Sequence, residues 1–201
     1  MTEVREQSSE RIEHAATALF AEHGFGAVGV RDIARMAEVP VSAISYYFGS
    51  KEGLYRECTR KLTHEFVGEA RESLDSGANL SELLAHHLEF GGGDSRLIKM
   101  WLDIQLSGEP DACAYSNREI LGPIWGILSE ALETDGDVTL DRRLGVLSFF
   151  GAVILGAILT DDQMASLTES PPAAAREKWR DEILDRFKGA GLVVEALQVA
   201  K

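Results

Sequence analysis

Cysteine, proline and positive charge are all scarce in this chain. Its two cysteines in 201 residues, Cys58 and Cys113, stand far apart and lack metal-ligand spacing. That pattern argues against a disulfide framework or a thiolate metal centre and fits a chain kept reduced. Five prolines leave long stretches free to be helical. Twenty Lys and Arg stand against 33 Asp and Glu, a net charge of −13, which opposes unspecific attraction to nucleic acid or anionic membrane. The chain also lacks an apolar leader: Glu3, Glu6, Ser8, Ser9 and Glu10 occupy its start, so a cytoplasmic location is expected. No convincing alternating strand appears, nor a phosphate loop, an HExxH or a Ser/His/Asp arrangement. An all-α protein that is not an enzyme is expected, with no cofactor and no metal.

What is present is helical periodicity, supported by 45% apolar residues. Ile12, Ala15, Ala16, Leu19 and Phe20 form one stripe of a helix over 8–23 that Gly24 ends. A short helix over 30–37 turns Val30, Ile33, Ala34 and Ala37 inward. Glu38-Val39-Pro40 makes a tight connection to another short helix over 41–47, with Ile44 inward. Ser50 caps a long helix from Lys51 to about Leu74. Two short helices joined by a tight turn have helix-turn-helix spacing, and Ala34 and Ala37 provide the small contact their crossing needs. The second of them offers Ser42, Ala43, Ser45, Tyr46 and Tyr47 outward. Hydroxyls, a methyl and aromatic rings of that kind suit the major groove and its phosphate walls. Charge is distributed accordingly: residues 1–60 hold seven cations against nine carboxylates, a net of −2, which leaves −11 for the remainder.

The stretch from Phe25 to Tyr55, FGAVGVRDIARMAEVPVSAISYYFGSKEGLY, resembles the DNA-binding signature of the TetR/AcrR family of transcriptional regulators, most diagnostically through ISYYFGSKEGLY. The resemblance covers residues 10–58. It implies an all-helical, two-domain protomer of about nine helices: a three-helix DNA-binding domain over 1–50 and a ligand-sensing and dimerisation domain over 51–201. It further implies a ligand-responsive regulator, a repressor in the family's common mode, that binds double-stranded operator DNA as a homodimer and releases it to a small-molecule effector. By position, Arg31, Ser42, Ala43, Ser45, Tyr46, Tyr47 and Lys51 are similar to the family's DNA-contacting set, with Tyr47 and Lys51 as phosphate clamps. Three residues depart from its pattern. Gly29 stands where a capping Ser or Thr is common, Glu38 where Gly is usual in the turn, and Pro40 where a capping Ser is common. The alternative is a helical small-molecule-binding protein or an enzyme that has lost operator binding.

Beyond residue 58 the reading is one of periodicity. Asn79 or Ser81 caps a helix that Gly91-Gly92-Gly93 ends. Asp94 caps another that breaks at Gly108-Glu109-Pro110. Helix then resumes to about Glu133, with a kink or restart at Gly122-Pro123. Leu144 to Leu159 is apolar on every face, so it is buried or in a membrane; 16 residues are too few to span a bilayer, which takes about 20. Burial against a dimer partner is expected. Gly145, Gly151, Ala152 and Gly156 permit close approach, and Trp179, Ile183, Leu184 and Phe187 supply the stripe of the last helix. Phe149, Val153, Trp179, Ile183, Leu184 and Phe187 are the expected dimer contacts. Phe66, Phe90, Trp101, Ile104, Gln105, Ile124 and Trp125 are the expected effector lining, and the two tryptophans favour a flat or apolar ligand. His64, His86 and His87 do not form a convincing joint metal or haem site. Gly24-x-Gly26-x-x-Gly29 matches a dinucleotide fingerprint in letters only, because a helix precedes it rather than a strand.

Overall fold

In a computed structural model, residues 2–80, 82–83, 95–134 and 139–189 are described, and all their regular structure is helical. In order these are α1 (Thr2–His23), α2 (Val30–Met36), α3 (Val41–Phe48), α4 (Lys51–Asp75), α5 (Arg96–Ser107), α6 (Pro110–Ser116), a π-helical turn (Asn117–Leu121), α7 (Gly122–Thr134), α8 (Leu140–Ile158), α9 (Asp161–Thr168) and α10 (Pro172–Gly189). They form two compact units. One holds Met1–Phe66 and Arg96–Pro123, the other Val67–Ser95 and Ile124–Lys201.

In the first unit, Ile12, Ala15, Ala16 and Phe20 of α1 are buried with Ile33, Ala34 and Ala37 around α2 and Ile44 of α3. Gly24 ends α1 at φ +78°, and a Cβ there would lie 2.8 Å from an Asp103 carboxylate oxygen. Only glycine satisfies both the left-handed backbone and the close approach. Gly29 opens α2 in extended conformation with no side chain to cap it; instead the Asp32 carboxylate reaches back to accept the Gly29 N–H at 3.3 Å. Glu38 takes the left-handed turn at φ +55°, which glycine would enter without strain. Pro40 begins α3 without a side-chain cap. At the start of α4, the Ser50 hydroxyl accepts the Gly53 N–H at 3.0 Å, as expected of a cap, and a Cβ on Gly53 would run into the Phe48 carbonyl.

The segment after Pro110 stays helical through Gly122-Pro123. Pro123 has no N–H to give the preceding turn, and the chain accommodates it with one wider turn in which the Gly122 N–H reaches Asn117 O.

In the second unit, Arg71 of α4 makes a bidentate bridge to Glu130 of α7, at 2.5 and 2.6 Å. α9 is a helix that the apolar periodicity did not announce. Its signal is a capping box at the end of the apolar run: Thr160 Oγ1 accepts the Gln163 N–H at 3.3 Å while Gln163 Oε1 accepts the Thr160 N–H at 3.0 Å. Arg176 of α10 closes the same corner. It donates to the Gly156 and Leu159 carbonyls at 3.0 Å each and pairs with Asp161 at 2.6 Å, which satisfies the C-terminal carbonyls of α8. Asn79 Oδ1 accepts the Glu82 N–H at 3.1 Å, as a cap does, and Ser81 lies outside the described residues. The glycine run at 91–93, Phe90, His86 and His87 lie outside the described residues.

Candidate nucleic-acid interface

With 3.6 residues per turn, burial of Ile44 fixes which side of α3 faces outward. Ser42 and Tyr46 lie opposite Ile44, flanked by Ser45 on one side and Ala43 on the other, while Val41 stands about 60° from Ile44 in the first turn. Burial follows that geometry: Ser42 and Ser45 are exposed, Tyr46 is 66% and Val41 44% exposed, and Ala43 is intermediate. Tyr47 sits nearer the buried side, half-buried, its ring edge-on to Tyr46 at 5.0 Å. Val41 is the residue sequence reasoning passed over. An apolar side chain at the first position of a short helix reads as core until the fold shows that Ile44 alone is buried there.

α3 carries no charged residue. From Gly29 to Leu54 the cations are Arg31, Arg35 and Lys51, balanced by Asp32, Glu38 and Glu52. Arg31 is exposed and has no ion pair among the described residues. Arg35 is paired with Asp32 at 2.6 Å. Glu52 is held below the usual carboxylate range by its own backbone N–H, then by Ser50.

Lys51 is committed inward. Its ammonium donates to the Phe25 carbonyl at 2.7 Å and the Val28 carbonyl at 2.9 Å, and lies 4.0 Å from the centroid of the Phe25 ring. Two of its three protons are thus used to close the loop between α1 and α2, and one remains for a phosphate. Phe25 is also held by α1, α4 and α5. Its N–H donates to Asp103 of α5 at 2.8 Å, and its ring stands edge-on to Tyr55 at 5.1 Å and tilted against Phe20 at 5.9 Å. The Tyr55 hydroxyl donates to the Met100 carbonyl at 2.7 Å. Burial, and then the Asp103 carboxylate, push that phenol far above its ordinary pKa, so it remains a donor. Burial also pushes the nearby Cys58 thiol up to about 12, which leaves it an unreactive core group. α5 is therefore bolted to the head at two points, through Asp103 and through Met100.

Residues 12–58 match the family described as "Bacterial regulatory proteins, tetR family". Through that region the chain is similar to the TetR family. Over 69 residues it is 44% identical to the HTH-type transcriptional dual regulator CecR of Shigella flexneri, a stretch covering 34% of this chain and 30% of that protein. The match thus spans under a third of that curated relative. The fold extends further. The fatty acid degradation regulator FadR from Bacillus halodurans superposes with a TM-score of 0.65 at 20% identity, over 87% of this chain and 97% of that one. The transcriptional regulator FadR from Bacillus subtilis, solved in complex with stearoyl-CoA, gives 0.61 at 22% identity over the same shares. The all-α fold of these two regulators is therefore shared across most of the chain.

Of the residues expected to line an effector site, Trp101, Ile104 and Gln105 share α5 in the first unit, and Phe66 ends that unit's part of α4. Gln105 donates to the buried Ser116 hydroxyl at 3.0 Å, and Ile104 is buried. The Trp101 indole nitrogen is buried without a hydrogen-bond partner, the one such side-chain atom among the described residues. Ile124 and Trp125 belong to the other unit, where Trp125 is 38% exposed.

Packing also decides which side of α8 is available. Phe149 and Val153 are 0% and 4% exposed, packed inside the protomer. The stripe left open is Leu144, Leu147, Gly151, Leu155 and Ile158. Trp179 packs on Gly156 of the same protomer, where a Cβ would collide with the indole. Ile183 and Leu184 are half-buried, and the Phe187 side chain lies outside the described residues. Among the described residues no helix is long and apolar enough to cross a membrane, and no group of three or more His, Cys, Asp or Glu is placed to hold a metal ion.

Proposed function

We propose that this chain is a ligand-responsive, DNA-binding transcriptional regulator that represses until a small-molecule effector releases it from its operator. The observation that carries this reading is the outward arc of α3, held proud of the head by the burial of Ile44 alone, within a segment that matches the tetR family. Ser42, Ala43, Ser45 and Tyr46 face base edges; Arg31, Tyr47 and the remaining proton of Lys51 approach phosphates. Residues 1–50 do the reading, and 51–201 sense and dimerise.

The exposed stripe of α8 supports a homodimer, since five small or apolar positions in one line are otherwise left in water. A dimer sets its two recognition helices roughly 34–36 Å apart, one turn of DNA. The attachment of α5 to Phe25 and Tyr55 supports the route of release. An effector seated against Trp101, Ile104 and Gln105 that shifts α5 displaces the loop before α2. Release requires that the effector bind the displaced state more tightly. Trp101 with its unpaired N–H favours an apolar molecule carrying a hydrogen-bond acceptor. The protein acts in the cytoplasm and carries out no catalysis.

The test is retardation of a duplex covering the promoter of its own gene. Specific retention that competitor DNA does not remove, weakened by Ser45→Ala and Tyr47→Ala, is the expected result. Absence of retention, with turnover of any small molecule, would instead favour the enzyme reading.

A further inference from the structure

Direct readout in the major groove uses a short list of side chains: Arg or Lys for guanine, Asn or Gln for adenine, Asp or Glu for cytosine, and apolar groups for the thymine methyl. α3, VSAISYYF, contains none of the first six. Its exposed surface offers three hydroxyls, on Ser42, Ser45 and Tyr46, and apolar groups from Val41, Ala43 and the Tyr46 ring. Serine accepts or donates to more than one base and discriminates weakly. The base feature this arc can single out is therefore the 5-methyl of thymine.

The charges nearby point the same way. Arg35 is occupied by Asp32, Lys51 gives two of its protons to backbone carbonyls, and three carboxylates flank the arc in sequence. Arg31 and the free proton of Lys51 are the cationic contacts left between Gly29 and Leu54. This segment gains little from counterion release and must obtain affinity from apolar and neutral polar contacts.

We propose that α3 reads its operator chiefly through thymine methyl groups, with Val41 and Tyr46 as the methyl-contacting side chains, and that binding depends only weakly on salt. This rests on the operator-binding reading above and specifies its partner: B-form DNA with thymines at the contacted major-groove positions.

The experiment selects duplexes from a random-sequence library with the full-length wild-type protein, then replaces each thymine of the selected site by uracil, one position at a time. Thymines are expected in each half-site. Loss of a contacted methyl should weaken binding about fourfold, the ratio for one buried methyl-sized group. In Val41→Ala, whose site is exposed and whose melting temperature serves as the folding control, one of these uracil penalties should disappear. With two cationic contacts per head, the plot of log affinity against log salt should be no steeper than about −4 for the dimer. A steeper slope, or uracil without effect at every position, overturns the proposal while leaving operator binding intact. Failure to retain any duplex sinks the operator-binding reading itself.

Discussion

The Asp103 carboxylate accepts the Phe25 N–H at 2.8 Å, joining residues 78 apart in sequence. Asp103 belongs to the helix that carries Trp101, Ile104 and Gln105, and Phe25 to the loop that aims α2 and α3. Asp103→Ala should cost about 1.5–3 kcal/mol of stability, the range for a hydrogen bond to a charged group, and weaken DNA retention. Asp103→Asn, which keeps an acceptor oxygen, should lose less of both. Equal urea midpoints for wild type and Asp103→Ala would show that this bond does not hold the loop.

Lys51 separates two roles that sequence resemblance merges. A pure phosphate contact predicts that Lys51→Met leaves the melting temperature unchanged. The tether to the Phe25 and Val28 carbonyls predicts a loss of about 1–3 kcal/mol in chemical denaturation. The salt slope should fall by no more than about 1 per head.

Glu38 bears backbone strain at the turn between α2 and α3, with φ at +55°. Glu38→Gly removes a left-handed penalty of about 1–2 kcal/mol and returns part of it as unfolded-chain entropy. A net gain of about 0.5–1 kcal/mol is expected by thermal melting. DNA affinity should rise as well, because a carboxylate leaves the edge of the reading face. A lower melting temperature would contradict this account of the turn.

Tyr55 makes the head sensitive to alkali. Its folded pKa lies above the ordinary value of about 10, so its contribution to stability is complete below that pH and is lost as the pH rises past it. Tyr55→Phe should cost about 1 kcal/mol near neutrality, through the lost bond to the Met100 carbonyl. It should also flatten the decline of stability above pH ~10. An unchanged alkaline limb would show that another group sets it.

Leu147 lies on the open stripe of α8 and is 54% exposed. Leu147→Glu should raise the dimer dissociation constant by about a hundredfold or more, read by sedimentation, without lowering the melting temperature of the monomer. The same change at Phe149 should unfold the second unit, because that side chain is core. A dimer that tolerates Leu147→Glu would place the partner elsewhere.

Legibility in the sequence varied with the kind of pattern. Amphipathic stripes showed their own inward faces: Ile12, Ala15, Ala16 and Phe20 in α1, and Ile33, Ala34 and Ala37 around α2, are buried as expected. The all-apolar run in α8 could not do the same. With no polar side to mark the outside, Phe149 and Leu147 are equivalent letters, and packing alone assigns one inward and the other outward. α9 escaped for a related reason: its start is marked by a capping box, not by an apolar stripe.

By itself the sequence determined the helical class, the helix-turn-helix spacing and the charge-free character of α3, because these depend on local spacing and side-chain type. Tertiary structure alone decided that Lys51 spends its protons on carbonyls of residues 23 and 26 positions away, that Asp103 meets Phe25, and that Val41 faces outward. Each of those facts is a distance between segments far apart in the chain or a choice among helix faces, and neither is encoded in neighbouring residues.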